Sequence, residues 1–360
     1  MSSSNRSIIA IVVIVVIGVG AVGAWLVLNP PPPLPDNPFE VAIVFATGGL
    51  GDKSFNDGCF KGADDARNEF DINFTYVEPT EIAEYEGFHR AFAAHAEYAD
   101  AYNLIIGIGF DQADAIQTVA DDYPDQKWAI VDMWVNDTEY PNVASLLFNE
   151  HEGSALVGAM AALYHNQSKP LGFIGGMDIP LINKFLGGFI WGANKTQYEV
   201  NGTMLTPGVD FNFAYTNDWV DTAAGKSLAD GMYTTGTDVI FAAAGRSGLG
   251  VFDSVAENNA TYGPIWCIGV DSPQMYLEPG LVLTSMLKRV DVAVHDIIED
   301  VLLDTFTTFN LFTLANGGID YELNSTLLDV PAWIITEVNN LKAEIIGGTV
   351  TVPDTKYWLP

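Results

Sequence analysis

Beyond about residue 40 the chain alternates short apolar runs with longer stretches in which apolar residues recur every three or four positions. The short runs, rich in Val and Ile and bounded by Gly, Pro, Asn or Asp, predict strands over residues 41–46, 74–77, 103–108, 128–131, 143–148, 171–174, 210–215, 238–242, 265–270 and 282–286. The stretches between them predict helices over 57–70, 85–98, 111–122, 153–166, 182–198, 222–235, 250–258 and 290–306. Strands that are apolar on both faces and separated by helices imply parallel sheets covered on both sides. Right-handed crossovers then build doubly wound layers. The strands are too many for one sheet of ordinary width, so the pattern predicts an α/β protein with two Rossmann-like lobes.

The first 40 residues follow a different pattern. From Ile8 to Leu28, twenty-one residues pass without a charge. At about 1.5 Å per residue a helix of that length spans ~30 Å, one hydrocarbon core. Arg6 precedes it, and Asp36 and Glu40 follow. That asymmetry predicts a cytoplasmic N-terminus over 1–7, a single transmembrane anchor over 8–28 and a body outside the membrane. A cleaved signal peptide is the alternative, but the run is long for one and lacks a small-x-small cleavage site. Six prolines, at 30–33, 35 and 38, make residues 29–40 a stiff linker. Beyond the linker, seven N-x-S/T sequons, at Asn73, Asn136, Asn166, Asn194, Asn201, Asn259 and Asn324, fit an extracellular, glycosylated surface.

Charge narrows the partners. Fifteen basic residues against 46 acidic ones give a net charge of −31, which excludes the basic footprint that nucleic acid requires. Such acidity also fits life in high salt, where screening shortens self-repulsion. Only two cysteines occur; Cys267 falls in an apolar run and reads as a small buried hydrophobe, and a disulfide with Cys59 is the less favoured alternative. The five histidines form no metal-ligand motif, and Asp111 and Asp114 are only a loose acidic pair. A binding protein without a cofactor is therefore expected rather than an enzyme.

In parallel sheets, ligands bind at the carboxyl ends of strands. That rule selects the loops after Ala46, Ile108, Val131, Ala242 and Val270, each with a Gly or a carboxylate. Phe55 follows the first Gly-rich loop, flanked by Ser54 and Asn56. It reads as a stacking face for a planar base, against the alternative of a ring that packs inward. Asn56 can donate and accept at a base edge or cap a helix. Asp132 and Asp271 each end a strand, poor positions for core material and good ones for accepting hydroxyl or ring N–H donors. Gly245, Arg246 and Gly248 open a helix after a strand, a weak phosphate-cradle signal that matches neither the dinucleotide fingerprint nor a P-loop. Met177 and Asp178, between a strand and a helix, line the cleft or serve only the loop.

Four strings carry a family resemblance. They are D-K-S-F-N at 52–56, G-G-M-D-I-P at 175–180, I-G-V-D-S at 268–272 and L-T-S-M-L-K-R-V at 283–290. In this order and spacing, from about residue 41 to 353, the chain resembles the basic-membrane-protein family. These are substrate-binding proteins of ABC transporters, many of which bind purine nucleosides. The resemblance implies a type I periplasmic-binding-protein fold with discontinuous lobes: 41–148 plus about 271–315, and 149–270 plus about 316–353, followed by a tail over 354–360. It implies that Phe55 and Trp219 sandwich the base, that Asn56 and Asp132 read its edge, and that Gly245, Asp271 and Lys288 hold the sugar. An ABC permease is the implied partner; a sensory receptor for the same kind of ligand is the alternative. Two departures stand out. Ala46 replaces an Asp found in many members two residues before the Gly-Gly pair, and Arg246 stands where a small residue is usual. No cysteine follows the apolar run, so the lipid attachment of many bacterial members is absent.

Overall fold

The computed structural model describes residues 39–95, 102–165, 169–202 and 210–356. The anchor expected over 8–28, most of the Pro-rich linker and the sequon at Asn166 lie outside these residues. Among the described residues no helix is long and apolar enough to cross a membrane.

Two six-stranded sheets organise the chain. The first is ordered β2-β1-β3-β4-β5-β11, with β1 Glu40–Val44, β2 Asn73–Val77, β3 Leu104–Ile108, β4 Trp128–Val131, β5 Val143–Phe148 and β11 Phe309–Phe312, and its strands pair in parallel. The second is ordered β7-β6-β8-β9-β10-β12, with β6 Leu171–Gly175, β7 Phe211–Tyr215, β8 Val239–Ala243, β9 Trp266–Asp271, β10 Val282–Lys288 and β12 Ile319–Tyr321. Among the described strands only β12 pairs antiparallel, on β10. In each sheet the first strand lies between the second and third, so the winding direction reverses beside it. A crevice opens there at the carboxyl ends, at β1/β3 in one lobe and β6/β8 in the other.

The helices follow from the same pattern. They are α1 Phe55–Phe70, α2 Tyr85–His95, α3 Ala113–Asp122, α4 Glu150–Tyr164, α5 Pro180–Asn201, α6 Thr222–Thr234, α7 Leu249–Tyr262, α8 Val290–Leu302 and α9 Ala332–Ile346. β1 shows why the strands read as unbroken apolar runs. Val41 and Ile43 enter one hydrophobic cluster and Ala42 and Val44 the opposite one, so both faces are buried. The larger cluster continues through both lobes, from Val41 to Phe173 and Phe241. Small residues let α4 and α5 approach closely: a Cβ added at Gly192 would lie 2.0 Å from the Ala155 carbonyl oxygen.

The lobe boundaries differ from expectation. The return near residue 271 does not occur, because β10 extends the second sheet by pairing with β9. The chain crosses back only after Lys288, where α8 packs against α1, and crosses again between β11 and β12. Strands β11 and β12 and helix α9 add to the predicted elements, and the helix predicted over 290–306 ends at Leu302. Cys59 and Cys267 are free and buried in separate hydrophobic clusters. Asn194 is buried within α5, which removes that sequon from the surface.

Candidate functional site

Strand ends from both lobes face one cavity holding about 740 Å³ of empty space, part of it open to solvent. Each of the five loops selected by the strand-end rule contributes to its lining: Thr47 and Phe55, Gly109 and Asp111, Asp132, Ala243 with Gly245 and Arg246, and Asp271. Phe55, Asn56, Asp132, Trp219, Gly245, Arg246, Asp271 and Lys288 all line it. Ser54 lies just behind, fully buried. Met177 and Asp178 do not line it; the Asp178 carboxylate turns away to Lys356 at 2.6 Å and Asn183 at 3.0 Å.

The loop before α1 is shaped by Asp52. Its carboxylate accepts the N–H groups of Ser54 at 2.9 Å, Asn56 at 2.8 Å and Asp57 at 3.1 Å, so Asp52 rather than Asn56 satisfies the helix's free amides. Gly51, at φ +94°, makes the preceding turn, and its N–H donates to Asp57 at 2.6 Å. Burial pushes the Asp52 carboxyl up, against the pull of these three amides. The Asn56 side chain is fixed in orientation: Oδ1 accepts from the Ala46 N–H at 3.2 Å and Nδ2 donates to Asp52 at 3.2 Å. One N–H of that amide remains for the cavity.

Asp132 and Asp271 occupy equivalent places, the ends of the fourth strand in each lobe's chain order. Both carry positive φ, +71° and +63°. A non-Gly residue in that region costs on the order of 1 kcal/mol or more and persists where the surroundings enforce it. Lys288, at the end of β10, lies 2.6 Å from the Asp132 carboxylate and 3.2 Å from Glu150. Its ammonium also sits 4.9 Å, 5.3 Å and 5.7 Å from the ring centroids of Phe148, Phe55 and Phe185. Burial opposes its charge, but Asp132, Glu150 and Asp271 outweigh that and hold it protonated well above the ordinary lysine range. Asp271 is pushed up to about 7, chiefly by burial, with Lys288 and the Ser54 hydroxyl pulling the other way.

Several bonds cross between lobes. Ser54 Oγ donates to Asp271 at 2.5 Å, Ser272 Oγ to the Ser54 carbonyl at 3.1 Å, and Gln274 Nε2 to the Lys53 carbonyl at 2.8 Å. At the cleft mouth the Arg246 guanidinium donates to the Leu50 carbonyl, so this side chain spans the opening. Trp219 packs against Gly176, where an added Cβ would come within 2.1 Å of its ring, and meets Phe110 edge-on at 6.5 Å.

The reading from residues alone missed Asp52, Glu150, Phe185 and above all Asp111. The Asp111 carboxylate lines the cavity and accepts the Tyr85 hydroxyl at 3.3 Å, whereas Asp114 is exposed on α3. The expected acidic pair is thus split. The strand-end rule had marked the loop carrying Asp111, but the pairing with Asp114 drew attention to the wrong chemistry.

Two α/β lobes that enclose a cavity at their facing strand ends, with charged and aromatic groups from both, define a two-lobed solute-binding protein. A family model described as "Bmp: ABC transporter substrate-binding protein PnrA-like" matches residues 39–356, and the chain belongs to that family. It is 31% identical over 332 residues to "ABC transporter nucleoside-binding protein BmpA" of Lactococcus lactis subsp. cremoris, covering 87% of this chain and 89% of that protein. It is 28% identical to "Basic membrane protein A" of Borreliella burgdorferi, covering 86% of each. Among solved structures, a solute-binding protein of an ABC transporter system from Aeropyrum pernix superposes with a TM-score of 0.77 at 29% identity, covering 88% of this chain and 94% of that one.

Proposed function

We propose that this chain is a membrane-tethered extracellular binding protein that captures a purine nucleoside between its lobes and delivers it to an ABC importer. The observation that carries the reading is that each lobe contributes an aromatic ring, Phe55 or Trp219, to one cavity edged by polar groups. Stacking on such a pair suits a flat base, at about 1–3 kcal/mol per ring contact. Asp271 and Lys288, held at the other strand ends, supply an acceptor and a donor suited to ribose hydroxyls. The Lactococcus relative's name says nucleoside-binding, in keeping with this assignment. Because ligand contacts would come from both lobes, binding favours the closed form through differential affinity, and no covalent step is needed. The apolar run at 8–28 supplies the tether.

Thermal unfolding of the full chain against nucleosides, free bases, nucleotides and sugars tests this. A purine nucleoside at about a hundred times its Kd should add ~2.7 kcal/mol of stability. Stabilisation by sugars alone would refute the assignment.

A further inference from the structure

We propose that Asp111 is the specificity-determining residue of the cleft and that, with Asn56, it selects a 6-oxopurine nucleoside, guanosine foremost, over adenosine. This inference rests on the nucleoside reading above. Among the carboxylates lining the cavity, three are already committed. Asp52 accepts three backbone amides, Asp132 faces the Lys288 ammonium at 2.6 Å, and Asp271 accepts the Ser54 hydroxyl at 2.5 Å. Asp111 is different. Its recorded side-chain partner among the described residues is the Tyr85 hydroxyl at 3.3 Å, on Oδ2. Tyr85 is itself held, since its oxygen accepts the Thr47 N–H at 3.0 Å and the residue is 1% exposed. The carboxylate is therefore aimed from behind by a rigid donor, with no lysine or arginine paired to it among the described residues.

Asp111 also shares its space with Ala46. A Cβ built at Gly109 would lie 3.1 Å from Asp111 Oδ1 and 3.4 Å from the Ala46 Cβ, so both border the same small volume. A short side chain at 46 leaves that volume open, and the carboxylate from the neighbouring β3 loop reaches it. Asn56 borders it too, through its bond to the Ala46 N–H, and its fixed amide offers the cavity a donor.

An acceptor-only carboxylate beside an amide N–H is complementary to one kind of base edge. Guanine presents an O6 acceptor next to N1–H and a 2-amino donor pair, which matches the amide and the two carboxylate oxygens. Hypoxanthine keeps O6 and N1–H but lacks the amino group. Adenine presents the reverse pattern, an amino donor next to an N1 lone pair that a carboxylate repels.

Calorimetric titration of the full chain with guanosine, inosine, adenosine and xanthosine tests the proposal. The order of affinity should be guanosine, then inosine, then adenosine. Asp111→Asn keeps the shape but turns one acceptor into a donor. It should weaken guanosine ~tenfold or more and strengthen xanthosine, which carries an oxygen where guanosine has the amino group. Tyr85→Phe, a second variant that leaves Asp111 in place but unaimed, should lower the guanosine-to-adenosine ratio in the same direction. If wild type binds purine nucleosides and both variants keep the wild-type ratios, the role of Asp111 is overturned while the nucleoside reading stands. Wild-type preference for adenosine overturns it likewise. If wild type binds no nucleoside, both fall together.

Discussion

Replacing Lys288 by Met probes the charge cluster beneath the cleft. Met fills a similar volume and keeps contact with the Phe55, Phe148 and Phe185 rings, so packing changes little. The charge does not survive. The ammonium side chain is 2% exposed, and its neighbours Asp132 and Glu150 are 5% and 1% exposed, at 2.6 Å and 3.2 Å. One oxygen of each carboxylate already lacks a directed hydrogen bond, and Lys184, 3.1 Å from Glu150, offsets only part of the lost charge. Removing one partner of a buried pair costs about 3–5 kcal/mol, because the remaining charge is left desolvated. Against a total stability of roughly 5–15 kcal/mol this is a large fraction. Burial already pushes Asp132 up, and without Lys288 it would rise further. A carboxyl raised in the folded state binds protons there that the unfolded chain does not, so folding of the variant gains stability as pH falls towards the ordinary carboxylate range. Urea unfolding at about pH 8 and about pH 5 should therefore show a deficit that is large at the higher pH and shrinks at the lower. Adding Asp132→Asn to Lys288→Met should recover part of the loss. A deficit under ~1 kcal/mol that does not change with pH would refute the reasoning, since that is the scale of an exposed ion pair.

Three further outcomes follow from the geometry. Asp271, with its carboxyl pushed by burial from the ordinary aspartate value of 3.8 up to about 7, penalises folding once ionised, by at most about 4 kcal/mol. Ligand-free wild type should therefore lose stability as pH rises through about 7, and Asp271→Asn should flatten that slope in thermal scans. Gly176→Ala places a methyl 2.1 Å from the Trp219 ring and should displace it, lowering nucleoside affinity by roughly 1–2 kcal/mol in a calorimetric titration. Arg246→Ala removes the bond to the Leu50 carbonyl across the cleft mouth, so ligand should dissociate faster in stopped-flow displacement while the association rate changes less.

The alternation of apolar runs and helical periodicities was enough to read two parallel-sheet lobes, because β1, β3, β4, β6 and β8 are buried nearly throughout and carry little competing signal. Edge elements were harder. β11 buries none of its residues fully and β12 is three residues long, so neither produces a run that stands out. Helix α9 buries Ile334, Val338 and Leu341, spaced four and three apart, a helical stripe present in the sequence but left unread. The late crossover was not legible at all. Whether 282–288 joins the first or second sheet depends on pairing with β9, and an apolar strand suits either. At the site, the strand-end rule found all five loops, because winding order decides where loops gather whatever residues they carry. Partner choice was beyond it. Nothing in the string D-K-S-F-N says that Asp52 caps α1, or that Asp132 and Lys288, far apart in sequence, lie 2.6 Å apart. Asp111 was hidden because its value lies in Tyr85, 26 positions earlier, which only the fold brings to it.

The central claim is that one planar ligand is held between rings from both lobes. It is tested most directly by titrating guanosine into wild type, Phe55→Ala and Trp219→Ala by calorimetry. One site is expected in wild type, and a loss of roughly 1–3 kcal/mol from either single substitution, whichever lobe carries it. Full wild-type affinity in either variant would contradict it.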